Sequence, residues 1–237
     1  MRKSLLACML LIAAPCLASQ IGASVQNISL DPSKSTATVR MLNSSSKDIS
    51  AYTLAIDLSF ANGKTIHDER LEDYLPIPEN AKKLWHPGTS RELVVPAGTS
   101  TPIAKTEAKV VAIIYADRTA DVDNEAAYQR MIDSRKGRAA AMAEVVKALR
   151  TAVANSAGPH PSEKASNSIK QLLYEAKASG SGDMHGELTV ALQTLQDAPK
   201  AAARLNVNEA DYLTAYATEM NRLVSVSAEQ AVVRRNP

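Results

Sequence analysis

The chain has 237 residues but only two cysteines, Cys8 and Cys16, both within its first eighteen positions. Once those positions are removed no thiol is left. That excludes disulfide staples, thiolate metal sites and cysteine nucleophiles from the working protein, and about 219 residues are enough for ordinary cores without covalent cross-links. Aromatic residues are scarce, at 4% of the chain with one Trp and one Phe. Net charge is scarce as well. The 27 basic residues exceed the 25 acidic ones by Arg2 and Lys3, so the chain after position 18 is balanced at 25 against 25. A nucleic-acid partner needs a basic field, and none is present. After the N-terminus no apolar run approaches the ~20 residues of a membrane-spanning helix.

What is present begins with Met1-Arg2-Lys3, an apolar stretch from Leu5 to Ala14, and Pro15-Cys16-Leu17-Ala18-Ser19. A short positive start, an apolar core and a small residue at the cut are the three parts of a secretory signal. Residues 1–18 are therefore expected to be a cleaved signal peptide, and the mature protein to be extracytoplasmic, either periplasmic or secreted. Lipid attachment is the weaker alternative. Cys8 follows Leu5-Leu6-Ala7 too early for an apolar core to precede it, and Pro15 is a poor residue before Cys16.

From Ile21 to about Asp117 apolar residues recur at every second position. Tyr52, Leu54, Ile56, Leu58 and Phe60 alternate with Thr53, Ala55, Asp57 and Ser59. That rhythm predicts a strand with one buried and one wet face. Asn62-Gly63 predicts a two-residue hairpin turn, with Lys64 to Glu69 returning. Further strands are expected at Val25–Leu30, Thr36–Leu42, Glu92–Val95 and Lys109–Tyr115, the last apolar enough to be covered on both sides. Pro87-Gly88 and Pro96-Ala97-Gly98 punctuate them as turns. Six or seven short strands in about a hundred residues point to an immunoglobulin-like β-sandwich over 19–119.

The run Val39 to Ile49, followed by Tyr52 and Leu54, resembles bacterial extracytoplasmic immunoglobulin-like domains of the FxLYD or CARDB type. Phe60-Ala61-Asn62-Gly63 and His86-Pro87-Gly88-Thr89 are similar to their hairpin and turn motifs, with Asn62 standing where an aspartate is usual. The resemblance covers less than half the chain. It implies a domain that binds or spaces, and it carries no ligand residues across.

Beyond Asp117 the period lengthens. Tyr128, Met131, Ile132, Met142, Val145, Val146, Leu149 and Val153 stripe one face of a long helix. Asp121, Asp123 and Glu125 crowd its start and Gly137 offers a kink. Shorter helices follow over Ser162–Lys177, with Ser162 as cap, over Glu187–Asp197, which Pro199 bends or splits, and after Asn208, capped by that residue. The expected fold class is α+β: the sandwich, then a helical bundle over 120–237, rich in alanine.

Chemistry is hard to find. His67, His86, His160 and His185 lack the spacing of a zinc motif. Asp121 to Glu125 fails as a calcium loop, since Ala126 and Ile132 stand at its sixth and twelfth positions. Serine-hydrolase elbows and phosphate loops are missing. Accordingly no catalytic residue, metal ligand or cofactor is assigned. The loop around Pro76 and Pro78, with Tyr74, Leu84 and Trp85, is the candidate partner-binding site, since exposed aromatics dominate binding hot spots. The expected function is a non-catalytic binding or spacer protein of the cell envelope or exterior, its partner another envelope or extracellular protein. The alternatives are an envelope assembly or chaperone-like factor, whose loose helices clasp a partner, and a hydrolase acting through Asp68, Glu69 or His86.

Overall fold

The computed structural model describes residues 21–31, 33–99, 101–155, 160–179 and 182–236. The expected signal peptide, with both cysteines, lies outside them. The fold is mixed α+β. Strands β1 (Ala23–Asp31), β2 (Thr36–Asn43), β3 (Ile49–Phe60), β4 (Thr65–Asp73), β5 (Ser90–Pro96), β6 (Ile103–Tyr115) and β7 (Thr119–Val122) come first, with a 3-10 turn at Pro78–Lys83. Helices α1 (Glu125–Ala154), α2 (Pro161–Ser179), α3 (Gly182–Leu205) and α4 (Glu209–Gln230) follow. A two-residue strand β8 (Arg234–Arg235) then returns to the sheet. Strand structure therefore runs three residues past position 119 and reappears after the helices.

The strands form two sheets, β1-β2-β5 and β4-β3-β6-β7-β8, antiparallel except where β8 joins β7. Val39 and Met41 from one sheet and Leu54, Ile56, Leu58 and Phe60 from the other close a common core, each at most 4% exposed. Burying one such side chain contributes about 1.5–3 kcal/mol. The alternation in β3 is real, but its first half departs from expectation: Ala51 and Thr53 are buried too. The reason is α1, whose Ala127, Tyr128, Met131 and Ile132 pack against Ala51, Val111, Ala112 and Ile114 on that outer face. The same helix explains why β6 is apolar on both sides from Val110 to Tyr115.

The hairpin between β3 and β4 is longer than Asn62-Gly63 implied. Ser59 pairs with Thr65, Phe60 N–H donates to Lys64 O at 2.8 Å, and Gly63 N–H donates to Phe60 O at 2.9 Å. Ala61, Asn62 and Gly63 are all loop, and of these only Gly63 has a positive φ, +82°. This is a type I turn closed by a left-handed residue, which asks nothing unusual of Asn62.

Helix α1 runs unbroken through Gly137. At 1.5 Å per residue it is about 45 Å long. Its first turns bind the sheet, and Met142, Val145, Leu149 and Ala152 join the core of the bundle, so packing at both ends holds it straight. Asn124 caps it by accepting from Ala127 N–H at 3.0 Å. Of the three acids expected at its start only Glu125 is in the first turn; Asp121 belongs to β7 and Asp123 pairs with Lys109 at 2.5 Å. Ser162 is not the cap of α2, because Pro161 already occupies the helix; its N–H is satisfied by Glu209 Oε1 at 2.6 Å. Pro199 lies inside a continuous α3. Asn208 does cap α4, accepting from Asp211 N–H at 2.8 Å.

Candidate functional site

Among the sequence candidates, Trp85 lies inside the protein. It is 1% exposed, exchanges backbone hydrogen bonds with Ile49 at 3.0 Å, donates its indole N–H to Thr89 O at 2.9 Å, and meets Tyr52 edge to face at 5.2 Å. The bridge to Ile49 draws the ring into the sheet core, so it offers a partner no surface. Tyr74 and Leu84 are half-buried. Tyr74 donates to Glu72 at 2.7 Å, and that bond, with burial and the Glu72 charge, raises its phenol above the ordinary range. The Arg91 guanidinium lies 5.5 Å from the Tyr74 ring and 5.8 Å from that of Trp85. Burial, aided by the Glu72 charge, pushes Tyr52 up to about 12.

Asp68, Glu69 and His86 do not come together. Asp68 stands opposite Ile56, while His86 follows Trp85, the partner of Ile49. Seven residues of strand separate those positions, about 23 Å at 3.3 Å per residue. Asp68 and Glu69 leave opposite faces of β4, the first pairing with Arg70 at 2.8 Å and the second with Arg130 of α1. His86 bonds Asp48 at 2.7 Å, and His67 bonds Asp57 at 2.9 Å. The Asp57 hydrogen bond raises His67, although the ring is open to water. Among the described residues no three metal-binding side chains gather, and no helix is long and apolar enough to cross a membrane.

The densest polar geometry lies where the sheet meets the helices, around a residue that the sequence did not advertise. Arg135 is fully buried on α1. Its Nε donates to both oxygens of Asp73 at 3.1 and 3.2 Å and its Nη2 to Asp73 Oδ1 at 2.8 Å. It also reaches Ser50 Oγ at 3.0 Å and Gln230 O at 2.8 Å. Ser227 of α4 donates to the Arg135 carbonyl at 3.1 Å, and Ser50 donates to Ile114 O at 3.1 Å. One guanidinium thus ties β3, β4, α1 and the end of α4, its charge answered by a carboxylate 3% exposed. Buried charges persist when paired and bonded in this way. A signal was there: Arg135 stands four residues after Met131, within the apolar stripe of α1, where a charge needs a partner.

Beside this latch opens a cleft of about 530 Å³. Leu71 of β4, Gly137 and Ala140 of α1 and Met184 of α3 give it apolar walls, while Arg130 and Asp133 add charge. Arg138, next to it, links Asp73 at 3.8 Å to Glu187 of α3 at 3.2 Å. Sheet and bundle line the cleft together, and the latch fixes their spacing. Its chemistry is that of holding an apolar group, with charges to orient it. Comparison with known proteins found no matching family model, curated protein or solved structure.

Proposed function

We propose that this chain is an exported, non-catalytic binding protein of the cell envelope or exterior, in which an immunoglobulin-like sandwich and a helical bundle share one binding cleft. The strand order supports the sandwich: strands one, two and five oppose four, three, six and seven, the arrangement of an immunoglobulin-like domain whose fourth strand sits beside the third. The positively charged start and short apolar core of residues 1–18 support export.

The observation that carries the binding role is the cleft between β4, α1 and α3. Ligand pockets fall between about 300 and 1,000 Å³, are mostly apolar, and favour junctions between structural units; this one has the size, the lining and the place. Its volume suits a small apolar molecule or one or two apolar side chains of a partner.

Two experiments test the reading. An apolar fluorescent probe should saturate a single site on the wild-type protein and lose it in Ala140→Trp, which fills the cleft from an exposed helix position. Undiminished probe binding by a folded Ala140→Trp protein excludes the cleft. For export, N-terminal sequencing of the protein recovered outside the cytoplasm should begin at or close to Ser19. Recovery from the cytoplasm with Met1 in place overturns that part.

A further inference from the structure

The C-terminal residues turn back after α4 and lie along the outer edge of β7. Arg234 N–H donates to Arg118 O and Asn236 N–H to Ala120 O, both at 2.9 Å, so β8 runs parallel to β7 against Thr119 and Ala120. Side chains seat it as well. The Arg235 guanidinium lies 5.1 Å from the centre of the Tyr128 ring and contacts Glu125 at 2.5 Å. The Asn236 amide donates to Asp121 Oδ1 at 2.6 Å. The acidic run from Asp121 to Glu125, which fits no calcium loop, is put to use here: its two ends receive an amide and an arginine.

We propose that this edge is a strand-acceptor surface for an extended, arginine-containing segment of a partner protein, and that the chain's own tail occupies it in cis until displaced. Strand addition takes affinity from main-chain bonds and specificity from side-chain seats. Both are present: main-chain groups on the outer edge of β7, which the tail now bonds, and seats that match a cation and an amide by charge and geometry.

The tail is a light occupant. Its described residues pair with two of the four residues of β7, whereas β1 pairs with β2 along eight. Its ion pair is open to water on both sides, at 55% and 60% exposure, and Val232, leading into it, is 69% exposed. Exposed pairs hold weakly. A segment whose pairing also runs along Asp121 and Val122 adds main-chain bonds that the tail's described residues do not make, and so competes with them. A second copy's tail makes only the contacts the first already makes. It lacks the local concentration that tethering gives, so reciprocal exchange between copies does not account for the site.

The test uses the full chain and a labelled peptide with the sequence of residues 229–237. A tail-weakened protein, Arg235→Glu with Asn236→Ala, should bind the peptide about tenfold more tightly than wild type, because apparent affinity scales with the open fraction of the site. Adding Glu125→Lys or Tyr128→Ala should remove that binding, as should reversing the charge of the peptide's second arginine. Equal or absent binding by wild-type and tail-weakened proteins, with unchanged circular dichroism, overturns the proposal. Should the tail-weakened protein fail to fold, wild type decides. Peptide in excess of the roughly millimolar effective concentration of a tethered tail should speed hydrogen exchange at the Arg234 and Asn236 amides, and unchanged protection there overturns it equally.

Discussion

The sheet core and the bundle core each contain sixteen buried hydrophobic residues among those described, yet they are built from different side chains. The sheet core holds Tyr52, Phe60, Trp85 and Tyr115 and only two alanines, Ala23 and Ala37. The bundle core holds no fully buried aromatic residue and seven alanines: Ala148, Ala152, Ala165, Ala176, Ala191, Ala198 and Ala217. Burial stabilises in proportion to apolar area, so the same number of residues yields less in the bundle. Alanine brings helices close but leaves them leaning on what lies outside. Here that support is α1, whose first turns pack on the sheet, and the Arg135–Asp73 latch. The bundle thus borrows order from the sheet.

The largest effect should come from removing the strongest member of the sheet core. Trp85→Ala is expected to cost about 3–5 kcal/mol, read from chemical denaturation, with the helical signal lost in the same transition. Helices surviving a lost sheet would break the idea of borrowed order. Arg135→Ala comes next. Leaving the buried Asp73 carboxylate with only the longer contact to Arg138, at 3.8 Å, should cost about 3 kcal/mol, and the double replacement Arg135→Met with Asp73→Leu should recover most of it. The single variant should also split thermal unfolding into two steps, helices first; one unbroken transition at reduced temperature would count against the latch as the coupling.

Smaller effects sharpen the contrast. Ala191 is fully buried in the bundle. If alanine sets the helix spacing, Ala191→Leu should cost about 1–3 kcal/mol by overpacking, measured by urea titration; a stabilised variant would reveal slack instead. The smallest effect belongs to Asp117. Burial pushes its carboxyl up, but the Thr119 hydroxyl, Lys47 and the Thr119 amide outweigh it and bring it down to about 2 from an ordinary 3.8. A folded-state value below the unfolded one means its contribution is complete above about pH 4 and disappears as pH falls through about 2. Because the side chain is 49% exposed, solvent screening keeps this below about 1 kcal/mol. Asp117→Asn should remove that share of the acid sensitivity between about pH 5 and pH 2, and identical acid curves would rule it out.

Much of the fold was legible. The alternation from Tyr52 to Phe60, the apolar run of β6, the change of period near residue 120 and the cap at Asn208 are local patterns, and they appear where the residues put them. The functional geometry was less so. Trp85 stands near prolines and turn residues, which reads as an exposed loop, but its bridge to Ile49 takes it inside. Asp73 and Arg135 are 62 positions apart and share no periodicity. Two arginines near the C-terminus carry no strand signature at all.

By itself the sequence determined which stretches alternate, which stripe a helix, and where turns and caps must fall, because those depend on neighbours a few residues away and on the geometry of the backbone. Only the tertiary structure decided that α1 lies across the sheet, that a buried guanidinium joins four elements, that a cleft opens between β4 and the helices, and that the C-terminal residues close an edge. Each of these depends on groups far apart in the chain meeting in space. What fixes them is the desolvation of paired charges and the matching of packed faces, neither of which leaves a mark within a few residues.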